Sequence, residues 1–304
     1  MKPFLLDVKF SKKQKMILKI CSAERRSIYK TFLEGNKLKR FFLSSDIEGT
    51  CGIANWQETN TNNEYSPYFL KQMSNEVKSA CLGALESGYG EVIVKDAHDS
   101  ARNIYPDMLP KEVKIIRDWT KNPLSMMAGI DIGKFDAAGF TGYHSGASSN
   151  GNPLSHTMNL SVTKITINGR LTSEFVMNAY AAAYYGVPTV FLAGDKALCE
   201  TALDLVPEIS VAPVSEGYGG GSISIHPEKA CEFIKEKMME ALSKDVSKCL
   251  IKLPESFEVV VQHREHSKAY RGSFYPGVKS VNDTTNVFCS NDYMEVMKFF
   301  MFTL

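Results

Sequence analysis

The chain of 304 residues has almost no excess of charge: 35 Lys and Arg face 34 Asp and Glu, which leaves +1 at neutral pH. A protein whose main task is gripping a nucleic-acid backbone or an anionic membrane needs a basic surplus, so neither is expected as a partner. Paired cysteines are missing too. The seven cysteines are odd in number, scattered, and nowhere spaced Cys-x-x-Cys. That argues against a disulfide framework and for the reduced thiols of a cytoplasmic protein. No apolar run reaches the length of a membrane span. The longest candidate, AYAAAYYGVPTVFLAG at 179–194, is broken by Gly186 and Pro188, which predicts a buried helix followed by a buried strand. MILKIC, near the lysine-rich N-terminus, is too short for a secretory signal. Internal repeats and low-complexity tracts are likewise absent.

What is present is ample core material: 44% of the residues are hydrophobic, enough for one large or two ordinary domains. Residues 1–37 stand apart, rich in Lys and Arg with little apolar periodicity. They predict a basic, solvated extension, or a segment not native to the mature protein, since LKRFFLSSDIEG from Leu38 reads like the start of a cytoplasmic α/β protein. From residue 40 strands and helices alternate. Strands are expected at 41–46, 91–98, 112–118, 136–144 and 188–195, and helices at 68–88, 174–186 and 196–206. VTKITINGRLTS predicts a hairpin turning at Asn168-Gly169. Further on come a helix over 227–246, a strand over 257–263 and a closing helix over 291–304. The pattern predicts an α/β fold: a largely parallel sheet covered by helices, with a smaller α+β C-terminal portion. The expected division is 38–195 for the α/β domain and 196–304 for the portion packed on it.

Open α/β sheets bind ligands outside the carboxyl ends of their strands, and these ends carry unusual residues. The first strand stops at Asp46-x-Glu48, the second at Asp96-x-His98, the fourth at Gly142-Tyr143-His144, and the hairpin leads into a helix opening with Glu174. Unpaired acids at the edge of a core are costly, so something positive is expected among them. Singly, each residue has a plainer reading: Asp46 as a turn residue, either histidine as a hydrogen-bonded core group, Glu174 as a partner of the helix dipole. Together, Asp46, Glu48, His98, His144 and Glu174 are more ligands than one tetrahedral zinc with a bound water requires. Two ions sharing a bridging carboxylate would use them all, and Asp46 is central among them. The Gly/Ser/Asn-rich loop after His144 returns to His156, which could face a bound substrate as nucleophile, general acid/base or oxyanion stabiliser.

In order along the chain, SSDIEG (44–49), KDAHDS (95–100), GYHSGAS (142–148), LSHTM (154–158) and INGRLTSEFVMNAY (167–180) resemble the dizinc D-aminopeptidases encoded with dipeptide-transport operons. The similarity runs from about Leu38 to the C-terminus. It implies Asp46 as the bridging ligand, Glu48, His98, His144 and Glu174 as the remaining zinc ligands, and His156 as the catalytic histidine. It also implies two Zn²⁺ per chain, hydrolysis of the N-terminal amide of short D-amino-acid peptides, and a homo-oligomeric ring of ten subunits. A metal-dependent amidase acting on D-amino-acid amides, using the same ions, is the alternative. Asp96 or Asp99 is expected to orient the liganding imidazoles, and Tyr143 to pack rather than react.

Overall fold

A computed structural model describes residues 38–304; the basic extension expected over 1–37 lies outside the described residues. The chain runs β1 (Lys39–Ser45), α1 (Ser66–Glu86), β2 (Tyr89–Asp96), β3 (Val113–Ile116) and β4 (Ala137–Tyr143). A hairpin follows, β5 (Val162–Ile167) and β6 (Arg170–Leu171), then α2 (Glu174–Tyr184), β7 (Thr189–Asp195) and α3 (Lys196–Leu205). The last third holds β8 (Ser210–Tyr218), β9 (Gly221–Ser224), α4 (Pro227–Ser243), β10 (Phe257–His263), α5 (His266–Gly272), β11 (Lys279–Asn282), β12 (Thr285–Ser290) and α6 (Tyr293–Thr303).

Seven strands form the larger sheet in the order β3-β2-β1-β4-β7-β8-β9. Pairs β2/β3, β1/β4, β4/β7 and β7/β8 are parallel, and β9 closes the edge antiparallel to β8. β4 and β7 are buried at every residue and β1 over its last five. Their near-continuous apolar and small residues are what a sheet covered on both faces demands. α1 supplies part of that cover through Leu70, Met73, Val77, Ala80 and Ala84, spaced to share one helical face. Its entry is set by Pro67 in the first turn, where a missing N–H costs nothing. The smaller sheet, β11-β12-β10-β5-β6, is antiparallel. β10 alternates buried and more exposed residues, as a strand with one face on the core should.

The expected hairpin is there: Asn168 and Gly169 both take positive φ, 51° and 77°, as a tight two-residue turn between twisted strands requires. The division expected at residue 195 does not separate the two sheets. β8 and β9 join the larger sheet from beyond it, and β5 and β6 join the smaller from before it. The reason is register over long separations: Leu192 of β7 lies opposite Val211, and Val261 of β10 opposite Ile165. The glycine-rich stretch after Val214, for which no regular structure was expected, forms the β8–β9 hairpin. β11, β12 and α5 also lie outside the sequence-based expectation.

One consequence of the strand order positions everything that follows. From β1 the next strands in sequence go to one side, while β4 lies on the other, so the order reverses between β1 and β4. The crevice outside their carboxyl ends is where such sheets bind ligands.

Candidate metal centre

β1 ends at Ser45, and the next two acids lean over the crevice. The Asp46 N–H donates to Thr141 O of β4 at 2.9 Å, and Ala97 N–H donates to Ser45 O at 2.8 Å. Those two bonds fix the ends of β1, β2 and β4 side by side, which brings Asp46, His98 and His144 together. The β4 end bends because Gly142 adopts φ +68°. Its carbonyl accepts the Gly49 N–H at 2.8 Å, folding the chain after β1 over the strand end. Glu174 arrives from the first turn of α2, whose cap is Ser173.

All six candidate side chains converge. His98 Nδ1 lies 3.3 Å from Asp46 Oδ1 and 3.1 Å from Glu48 Oε2. His144 Nε2 lies 3.5 Å from both Asp46 Oδ2 and Glu174 Oε2. Asp46 thus belongs to two donor groups, one with Glu48 and His98, the other with His144 and Glu174. His156 Nε2 sits 3.7 Å from Glu174 Oε1 and 3.9 Å from Glu48 Oε1. Its ring stacks on His144, with centroids 4.3 Å apart and planes within 4°, and the Trp56 ring meets its edge at 5.1 Å. The five other residues are buried; His156 is partly open.

The donor set fits a cation. Asp46 Oδ2, Glu48 Oε2 and His144 Nε2 are buried with no hydrogen-bond partner. His144 Nδ1 faces the Ser145 carbonyl at 2.9 Å. A carbonyl only accepts, so Nδ1 carries a proton, and Nε2 is the ring atom turned toward two carboxylates. Lone pairs and anions converging in a buried space need a positive charge between them. Carboxylate and imidazole donors suit zinc. The electrostatics agree in direction. Burial opposes the ionised form of Asp46, yet His144 and His98 hold its carboxyl below the usual range. Glu174 is likewise desolvated, yet His144 brings it down to about 2. Burial works against charging His98 and His144, but Glu48 and Asp46 for the first, and Glu174 and Asp46 for the second, draw protons onto them well above the ordinary histidine value. This is the field that draws in a divalent ion.

Around the donors stands a layer that sequence reasoning largely missed. Asp195, cap of α3, accepts from Ser145 N at 2.6 Å and from Ser145 Oγ at 2.6 Å. This sets the carbonyl that fixes the His144 tautomer. Asp96 does not orient an imidazole as expected. Its carboxylate accepts from Asn103 N, Asn103 Nδ2 and Ile104 N, while Asn103 Nδ2 also donates to His98 O at 2.6 Å, so Asp96 pins the loop that carries His98. Asp99 offers its backbone carbonyl to the Trp119 indole. Glu174 Oε1 accepts from Met158 N at 2.6 Å, and His156 Nδ1 donates to Leu154 O at 2.9 Å, tying the flexible-looking loop to the site. Tyr143 is buried and bonded to Ser44 Oγ and Asn178 Nδ2, a packing role as expected. Only the Asp195 side chain, one residue before a helix and after a buried strand, had a readable signal, as an N-cap.

The cluster opens into a cavity of about 620 Å³ with apolar walls that include Trp56, Trp119, Met126, Met158 and Leu160. Among the described residues that line it there is no Lys or Arg.

Comparison with known proteins bears on this centre. A family model for D-aminopeptidases, peptidase family M55, matches residues 39–302. The chain is 30% identical over 259 residues to a D-aminopeptidase of Bacillus subtilis (strain 168), covering 84% of this chain and 93% of that protein. Its structure is similar to that of the Zn-dependent D-aminopeptidase DppA from Bacillus subtilis, a self-compartmentalizing protease. The TM-score is 0.81 at 27% identity, over 86% of this chain and 95% of the other.

Proposed function

The chain belongs to the D-aminopeptidase family and is a zinc-dependent aminopeptidase; we propose that it removes the N-terminal residue of short D-amino-acid peptides using two zinc ions and His156. One observation carries the reading. Asp46 takes part in two of the three donor groups, and His156 Nε2 lies beside the outer carboxylate of each of those two. In this reading Glu48 and His98 would hold one ion and His144 and Glu174 the other, with Asp46 available to both. Bound zinc supplies Lewis acidity toward the scissile carbonyl and a nucleophilic water near neutral pH.

The chain's own groups supply the rest. His156 keeps its Nδ1 proton on the Leu154 carbonyl, which leaves Nε2 to take a proton during attack and return it to the leaving amine. Stacking on His144 and the edge of Trp56 hold the ring in that orientation. The apolar walls limit water around the reacting amide and strengthen the local electrostatics. The likeness to a self-compartmentalizing protease supports a homo-oligomer, proposed as a ten-subunit ring, and the proposed setting is the cytoplasm. None of the described helices is long and apolar enough to cross a membrane.

The test is hydrolysis of paired D- and L-alanyl di- and tripeptides by zinc-loaded protein, with zinc counted on wild type and His156→Ala alike. Expected is cleavage of the D-peptides with kcat lower by about 10²–10⁴ in the variant and zinc content unchanged at two per chain. Cleavage of D-amino-acid amides with no peptide cut would replace this reading with the amidase. An unaffected kcat in His156→Ala would remove the histidine from the chemistry.

A further inference from the structure

The cavity at the candidate metal centre has a neighbour. A second cavity of about 310 Å³ is lined by Met177, Met297, Phe300, Met301 and Leu304, among others. Trp119, Ser125, Met158 and Asn159 line both cavities, so these four residues form the wall the two spaces share. The second cavity has no acidic side chain on its walls, and its one charged side chain, Lys121, is exposed. Its thioether, phenyl and leucyl surface suits an uncharged apolar group. Apolar cavities of about 150 Å³ already take a benzene-sized guest. Thioether side chains such as those of Met158, Met177 and Met297 adapt to irregular apolar shapes.

Trp119 is anchored between the two spaces. Its Nε1 donates to Asp99 O at 2.6 Å, one residue beyond the metal-facing His98. The Lys95 Nζ lies 4.6 Å from its ring centroid. That lysine is fully buried, and its ammonium is held by the carbonyls of Asp96 at 2.7 Å and Asp118 at 2.9 Å. A buried ammonium is costly unless so partnered, and here the partners fix an indole at the cavity wall. The backbone in and beside this wall is strained as well. Asp118, Lys121 and Ser125 all take positive φ, at 65°, 63° and 50°, a conformation non-glycine residues hold only where the surroundings enforce it.

We propose that the second cavity is a side-chain subsite of the aminopeptidase, with Trp119 as the specificity-determining residue. Peptides with a bulky apolar residue next to the scissile bond would then be preferred over alanyl peptides. The proposal rests on reading the metal cavity as the peptidase site. Filling an apolar pocket discriminates by about tenfold to 200-fold for each methylene gained, so a leucyl or phenylalanyl peptide should exceed its alanyl counterpart in kcat/KM by at least tenfold.

Two series of D-peptides, one varied before the scissile bond and one after it, are compared on zinc-loaded wild type and Trp119→Ala. The expected result is the preference in one series and its loss in the variant. Binding gives a readout independent of turnover, because the chain has only two tryptophans, Trp56 and Trp119, and both line the metal cavity. In Trp56→Phe the remaining indole reports on the wall. Its emission should respond to D-leucine and D-phenylalanine at concentrations at least tenfold below D-alanine. Flat or alanine-favouring selectivity in both series of an active enzyme overturns the proposal. So does an emission blind to all three amino acids, as when another copy of the chain fills the cavity. If no peptide is cut at all, the peptidase reading falls, and the emission titration alone decides the subsite.

Discussion

Each oxygen of the Asp46 carboxylate faces a different imidazole, and a single side chain thereby joins the ends of three strands. Another buried acid, Glu76 on α1, has no such cationic company. One of its oxygens accepts from Cys51 N at 2.9 Å and Gln72 Nε2 at 3.0 Å, and the other has no partner. Burial pushes its carboxyl from 4.5 up to about 7, with Gln72 and Cys51 easing it only in part. A folded pKa above the unfolded one means that the folded protein binds the proton more tightly. The resulting stabilisation is complete below about pH 4.5 and is lost as pH rises through about 7, a difference of roughly 3 kcal/mol. Glu76→Gln, which cannot ionise, should therefore gain on the wild type between pH 5 and 8. Urea denaturation of both zinc-saturated proteins checks this; parallel pH profiles would show that Glu76 is not the origin.

At the scale of elements, the site depends on how closely the ends of β1 and β4 approach. Gly142 has φ +68°, and a Cβ there would run into the Asp46 carbonyl. Gly142→Ala combines backbone strain with displacement of Asp46, and overpacking of this kind costs about 1–3 kcal/mol. The melting temperature should fall by several degrees, at about 2–4 °C per kcal/mol for a protein near this size, and zinc should be retained poorly. A variant that melts with the wild type and carries full zinc would show that the strand ends tolerate separation. The same scale separates what the sequence makes legible from what it does not. The covered strands and amphipathic helices show in local periodicity. The β8–β9 hairpin does not, because Pro213, Gly217 and the glycines at 219–221 interrupt its alternation.

For the whole molecule, the donors form a buried anionic cluster that joins the larger sheet to α2 and to the loop bearing His156. Removing the cation leaves like charges facing each other, and an ion that binds only the folded chain stabilises it by mass action. Chelation should lower the melting temperature, and zinc added back should restore it. Calorimetry with and without chelator, at one protein concentration so that assembly does not intervene, makes the comparison. A chelated protein as stable as the zinc-loaded one would mean that these side chains are not where zinc is held.

The sequence alone determined the fold class and the residue types at the strand ends, because burial on both faces and strand-to-helix transitions leave local patterns. It placed Asp46 and Glu48 together after one strand, His98 and His144 after two others and Glu174 at the start of a helix, and put His156 on a loop after one of those strands. Only the tertiary structure decided which oxygen faces which nitrogen, that Asp96 pins a loop while Asp195 acts through Ser145, and that Trp119 stands between two cavities. Those outcomes rest on strand order and on contacts between residues far apart in the chain, such as Ser145 with Asp195 or Lys95 with Trp119. No periodicity records such pairs; the packing of the two sheets and their helices creates them.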